Sequence, residues 1–198
     1  MSATDEQIQQ ALEALRNGEL IVFPTETLYG IGCDALNPEA VARLCDAIKR
    51  PAGKPLAVIL GETSMADQLT SDFSPAATRL AESYWPGPLT LVLPARENLP
   101  EAIVGDQTIG LRVSSDPVAA RLSRELGRPI CAPSANPTGL PPAPGARGAR
   151  AYFDKDVAVY LDDGPRDGEA STVVIPGPPL KILRSGPISE ESLRQKLD

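Results

Sequence analysis

Proline and glycine interrupt this chain so regularly that it must be assembled from many short elements. There are 21 prolines and 16 glycines, spread as punctuation with one cluster near residues 137–148. Proline removes a backbone donor and fixes φ, and glycine admits tight turns, so the breaks mark loops between strands and helices. The hydrophobic content of 42% is that of a chain with a packed core rather than a disordered one. Aromatic residues are only 4%, so leucine, valine, isoleucine and alanine must fill that core. A length of 198 residues suits a single domain, 1–198, with a core of about 4–188 and a terminal helix over 189–197.

Between the breaks, two periodicities alternate. Ile8, Ala11, Leu12 and Leu15 recur at helical spacing over 4–17, with Thr4 or Asp5 as N-cap. Further helices are expected over 37–49, 63–69, 75–84, 117–126, 151–154 and 189–197. Apolar runs predict strands at 20–23, 56–60, 89–93, 108–113, 129–132, 157–161, 172–175 and 181–184. Residues 137–148 read as loop. The pattern is that of an α/β domain with a twisted, open mixed sheet flanked by helices. The last three strands have no helices between them and are expected to run antiparallel.

Charge and residue content narrow the function. The net charge is −7 and the isoelectric point near 4.7, opposite in sign to a general nucleic-acid-binding surface. There is no histidine, which removes the commonest general base and the commonest zinc ligand. Cys33, Cys45 and Cys131 follow no metal-ligand spacing and read as reduced, partly buried thiols. The acidic, amphipathic N-terminus does not resemble a signal peptide, and no apolar run reaches membrane-spanning length.

Groups able to do chemistry cluster at strand ends. After Leu20–Phe23 come Pro24, Thr25, Glu26, Thr27, Tyr29, Gly30 and Gly32: hydroxyls and a carboxylate beside glycines that permit a tight turn or close ligand approach. Lys49, Arg50 and Lys54 place three cations just before a buried strand, as a phosphate site or as a solvated loop after a helix. Thr108 and Arg112 share one face of a strand by period two; that arginine needs either a carboxylate in the chain or an anionic ligand. Ala132, Ser134 and Asn136 sit at another strand end, and Ser171, Thr172 and Arg184 lie near the last strands. Trp85-Pro86-Gly87-Pro88 reads as a rigid corner with an aromatic plug.

Taken in order, these motifs resemble those of the YrdC/TsaC family, the threonylcarbamoyl-AMP synthases. The resemblance runs from Pro24-Thr25-Glu26-Thr27 through Trp85-Pro86-Gly87-Pro88-Leu89-Thr90 and Pro133-Ser134-Ala135-Asn136 to Ser171-Thr172-Val173-Val174 and Arg184-Ser185-Gly186. It covers about residues 19–186. The chain departs from the pattern in four places. Lys49 abuts Arg50 without an intervening residue, and Ile59 stands near the place of a histidine found in some relatives. Thr138 replaces serine, and Pro142 stands where some relatives carry another serine.

The resemblance implies a YrdC-like fold and an adenylate-forming reaction of L-threonine, bicarbonate and ATP, with Mg²⁺ accompanying the nucleotide. By the same resemblance, Lys49, Arg50, Lys54, Thr108, Ser134, Asn136 and Arg184 would bind ATP. Thr25, Tyr29, Arg112, Ala132 and Ser171 or Thr172 would bind threonine. No acid–base residue is assigned, because positioning and charge neutralisation suffice; Glu26 would orient its loop by accepting N–H bonds. The product would pass to a tRNA-modifying transferase complex in the cytoplasm, without membrane attachment or stable nucleic-acid binding. Two alternatives accompany this reading: a carbamoyl-adenylate-forming paralogue, as in hydrogenase maturation, and an RNA-binding ribosome-maturation factor.

Overall fold

The computed structural model describes residues 3–197. Among the described residues, six α-helices and nine β-strands alternate in the order expected of an α/β chain. The strands form two sheets rather than one. A six-stranded sheet is built from β3 (Val58–Leu60), β4 (Leu89–Pro94), β5 (Thr108–Val113), β6 (Ile130–Cys131), β8 (Thr172–Ile175) and β9 (Lys181–Arg184). Its order is β6-β3-β5-β4-β8-β9, with parallel β3–β5 and β4–β8 pairs and antiparallel pairs elsewhere. A three-stranded sheet of order β2-β1-β7 comprises β1 (Leu20–Phe23), β2 (Gly30–Gly32) and β7 (Val157–Tyr160).

The division corrects one expectation. Of the last three strands, only β8 and β9 pair antiparallel with each other; β7 joins β1 in parallel in the other sheet. Nothing local to residues 157–184 distinguishes these partners, because strand choice is decided by which buried face is covered. Isolated bridges at Gly30–Ser134 and Asp34–Ile130 stitch the two sheets' neighbouring segments together. Gly32 is fixed by that stitch: a Cβ there would lie 2.1 Å from the carbonyl oxygen of Cys131. Gly32 of the first motif therefore serves strand packing.

Helix ends follow their local chemistry. In α1 (Asp5–Arg16), Thr4 and Gln7 form a reciprocal capping box. Helices α2 (Pro38–Ala47), α3 (Pro75–Tyr84) and α4 (Pro117–Leu126) each open with proline after an Asn, Ser or Asp cap. Gly127, at φ 71°, closes α4. The expected helix at 63–69 is a 3-10 segment, Thr63–Gln68. Helix α5 (Ala146–Phe153) begins inside the stretch expected to be loop, and α6 spans Glu190–Gln195.

Two apolar clusters hold the layers. Ile8, Leu12 and Leu15 of α1 pack with Val118 and Leu122 of α4 against Ile21, Phe23 and Ile59. The larger cluster joins Leu89, Leu91, Leu93, Ile109, Leu111 and Val113 to α2, α3 and β8. Each fully buried aliphatic side chain contributes about 1.5–3 kcal/mol. Trp85 is part of this core: its indole N–H donates to the carbonyl of Leu89 at 2.7 Å, and its ring meets Phe73.

Candidate functional site

Strand alternation builds the floor of the principal cavity. On β5, Ile109, Leu111 and Val113 are core, which leaves Thr108, Gly110 and Arg112 facing the opposite way. Thr90 and Val92 of β4, with Ser171 and Val173 at β8, extend the same surface. Around it stand Thr25–Gly30 except Glu26, the loop at Arg50, Gly53 and Pro55–Ala57, Ala132–Ser134, and Leu183–Arg184. The enclosed volume is about 440 Å³. That lies in the range of small-molecule sites.

Three arginines share this cavity: Arg50, Arg112 and Arg184. Arg112 is buried, and its Nη1 donates to Glu26 Oε1 at 2.5 Å and to the Thr27 hydroxyl at 3.3 Å. Among the described residues no acceptor takes its remaining N–H groups. Glu26 also accepts from the Ser114 hydroxyl. Its partners are thus a guanidinium and a hydroxyl, not the backbone N–H groups expected from sequence. Arg184 donates Nε to the carbonyl and Nη2 to the hydroxyl of Ser171, each at 2.9 Å. The Ser171 hydroxyl in turn lies 2.8 Å from that of Thr90. Arg50 braces its own loop, donating to the carbonyls of Lys54 and Pro55.

Electrostatics favour an anion in this cavity. Burial pushes the Arg112 guanidinium below its ordinary range, and Glu26 offsets part of that. Burial, reinforced by the charge of Arg112, lowers Arg184 as well; burial also lowers Arg50. Cations forced together with little water favour a negatively charged ligand. Asp106 is the carboxylate lining the cavity among the described residues. It stands with Gln107 in a left-handed turn, at φ 48° and 59°. No group of three metal-ligating side chains occurs among the described residues.

The remaining candidates are placed as follows. Thr25 lines the cavity, but its hydroxyl organises its own turn, accepting from the N–H groups of Thr27 and Leu28 and donating to the Leu28 carbonyl. Tyr29 lines the cavity; its hydroxyl donates to the Gly164 carbonyl and accepts from Asp163 N–H. Ala132 and Ser134 are at the cavity wall. Thr172 points to the other face of β8 and exchanges hydrogen bonds with the backbone of Ile188. Asn136 lies off the cavity, donating to the carbonyls of Pro137 and Leu140, with a buried unpartnered Oδ1. Lys49 and Lys54 are exposed beside the basic loop and do not line the wall. Residues 132–134 and 171 thus join the site, whereas 136 and 172 support it.

An open mixed sheet with one face turned into an arginine- and hydroxyl-rich cleft defines an α/β protein for a small anionic ligand. Comparison with known proteins gives the lineage. Residues 13–186 match the family model Sua5_yciO_yrdC, described as telomere recombination. The chain belongs to this Sua5/YciO/YrdC family. It is 38% identical over 197 residues to a threonylcarbamoyl-AMP synthase of Bacillus subtilis, covering 98% of this chain and 57% of the relative. A threonylcarbamoyl-AMP synthase of Photobacterium profundum is 32% identical, over 91% of this chain and the whole of that protein. The structure of Sua5 from Pyrococcus abyssi complexed with L-threonine superimposes with a TM-score of 0.91 at 35% identity. That match covers 96% of this chain and 57% of the other. The chain therefore spans little more than half the length of the B. subtilis and P. abyssi relatives. No helix among the described residues is long and apolar enough to cross a membrane.

Proposed function

We propose that this chain is an L-threonylcarbamoyl-adenylate synthase, forming threonylcarbamoyl-AMP and pyrophosphate from L-threonine, bicarbonate and ATP. The observation that carries the reading is the gathering of Arg50, Arg112 and Arg184 with Thr108, Ser134 and Ser171 on one cavity. A triphosphate needs cations and hydroxyls on one wall, and an amino acid needs a fixed cation for its carboxylate. Arg184 and Arg50, with Lys49 and Lys54 near the mouth, neutralise the phosphates. The N–H groups of Arg112 not engaged by Glu26 receive the threonine carboxylate. Thr108 and Ser134 contact nucleotide or carbamate.

The chemistry does not require histidine. The threonine amine adds to CO2 derived from bicarbonate, loses a proton to solvent and becomes a carbamate. A carbamate oxygen then attacks the α-phosphorus, and the bond to the β,γ-diphosphate breaks, releasing pyrophosphate. Such a displacement depends on alignment and charge neutralisation. Mg²⁺, held by Asp106 and the phosphates, would supply further neutralisation. The adenylate would serve tRNA threonylcarbamoylation through a downstream transferase complex in the cytoplasm. Pyrophosphate release from ATP tests the proposal: it should require both threonine and bicarbonate. Release independent of either would overturn it.

A further inference from the structure

The loop between β7 and β8 contains a cation that lies outside the principal cavity and belongs to none of the motifs described above. Arg166 Nε donates to the Thr25 carbonyl at 3.1 Å. Its Nη1 donates to the Asp163 carbonyl at 2.7 Å. Its Nη2 reaches Asp163 Oδ2 at 2.7 Å and Asp116 Oδ2 at 3.3 Å. One planar guanidinium thereby joins three segments that come from different parts of the sequence.

Each of those segments ends at the cavity. Thr25 begins the turn through Tyr29, whose hydroxyl is clasped by the same loop at Asp163 and Gly164. Asp116 caps α4 directly after β5, and its backbone N–H donates to Ser114, the residue that also holds Glu26 against Arg112. The loop itself runs into Ala170 and Ser171, and Ser171 orients Arg184. The loop presses tightly on the turn: a Cβ at Gly168 would lie 2.6 Å from the Thr27 carbonyl oxygen.

We infer that Arg166 is the positioning residue for the amino-acid side of the cavity, acting through the Thr25–Tyr29 turn and the Ser114–Glu26–Arg112 chain. This assignment rests on the proposed synthase activity for its substrate, but its structural half is independent of it. Lysine cannot replace it fully, because a single ammonium cannot span a backbone carbonyl and two carboxylates in one plane.

The test compares wild type, Arg166→Ala and Arg166→Lys by amide hydrogen exchange and steady-state kinetics. The N–H groups of Thr27 and Leu28 should exchange at least tenfold faster in Arg166→Ala, while those of α3 and β4 are unchanged. The KM for threonine should rise at least tenfold with the KM for ATP within twofold, and Arg166→Lys should fall between. Unchanged exchange at Thr27 and Leu28, or an equal rise in both KM values, would overturn the assignment. A wild-type protein without threonine-dependent turnover would sink the synthase reading; the exchange rates would still decide whether Arg166 holds the turn.

Discussion

Glu26 Oε1 lies 2.5 Å from Arg112 Nη1, and the two side chains are only 15% and 8% exposed. They come from segments 86 residues apart in sequence. An ion pair this buried is costly to break from one side, because the surviving charge keeps its desolvation penalty without its partner. Glu26→Ala should therefore destabilise the fold by about 3–5 kcal/mol. Adding Arg112→Ala to it should cost less than the sum of the two single changes. Urea unfolding of the three variants measures this; strict additivity would mean that the pair does not couple.

Arg184 should matter for ATP more than for folding. Its guanidinium is oriented by Ser171 and crowded by Arg112, so an anion relieves it. Losing a charge-assisted phosphate contact of about 1.5–3 kcal/mol corresponds to roughly a tenfold to hundredfold weaker nucleotide interaction. Arg184→Ala should show this in titration calorimetry with ATP, with its thermal midpoint nearly unchanged. Wild-type affinity in that variant would remove Arg184 from the phosphate wall.

Two glycines in or near the site should differ sharply in how much alanine costs them. At Gly32 the new Cβ would sit 2.1 Å from the carbonyl oxygen of Cys131, inside a strand pair that cannot open without losing the site. Gly32→Ala should not accumulate as folded protein. Gly53 has φ 76° and nothing within 4 Å of an added Cβ. There the change introduces only left-handed strain, about 1–2 kcal/mol. Soluble yield and thermal midpoint distinguish the two cases.

Tyr29 sets an alkaline limit. Burial raises its phenol above the ordinary tyrosine value. The protonated hydroxyl donates to the Gly164 carbonyl. A raised folded-state value means that its contribution is complete below about pH 10, the unfolded tyrosine value, and is lost as pH climbs through the folded one. Chemical-denaturation stability should decline in that window, and Tyr29→Phe should flatten the decline. A slope identical in both proteins would show that this phenol is not responsible.

Much of this arrangement is legible in local chemistry, and the misses share one cause. Helices α3 and α4 match their expected spans because proline at the first turn and the Gly127 stop act on neighbouring residues. Strand β5 also matches, and its alternation puts Thr108 and Arg112 on one face. Continuing that parity two residues further reaches Ser114, which holds Glu26 but belongs to no motif of the sequence. Thr172, next to Ser171, shows the limit: only the strand's facing decides which hydroxyl meets the cavity. The pairing of β7 with β1 and the reach of Arg166 to Thr25 and Asp116 are contacts between distant segments. No periodicity within either segment encodes them.

In the proposed reaction one cavity joins a nucleotide to an amino acid through a carbon taken from bicarbonate. Mass spectrometry of the wild-type reaction with ATP, L-threonine and ¹³C-bicarbonate tests it directly. The expected product is a threonylcarbamoyl-adenylate one mass unit heavier than with unlabelled bicarbonate, with little product from serine and none from Arg112→Ala. An adenylate without the label, or undiminished labelled product from Arg112→Ala, would contradict it.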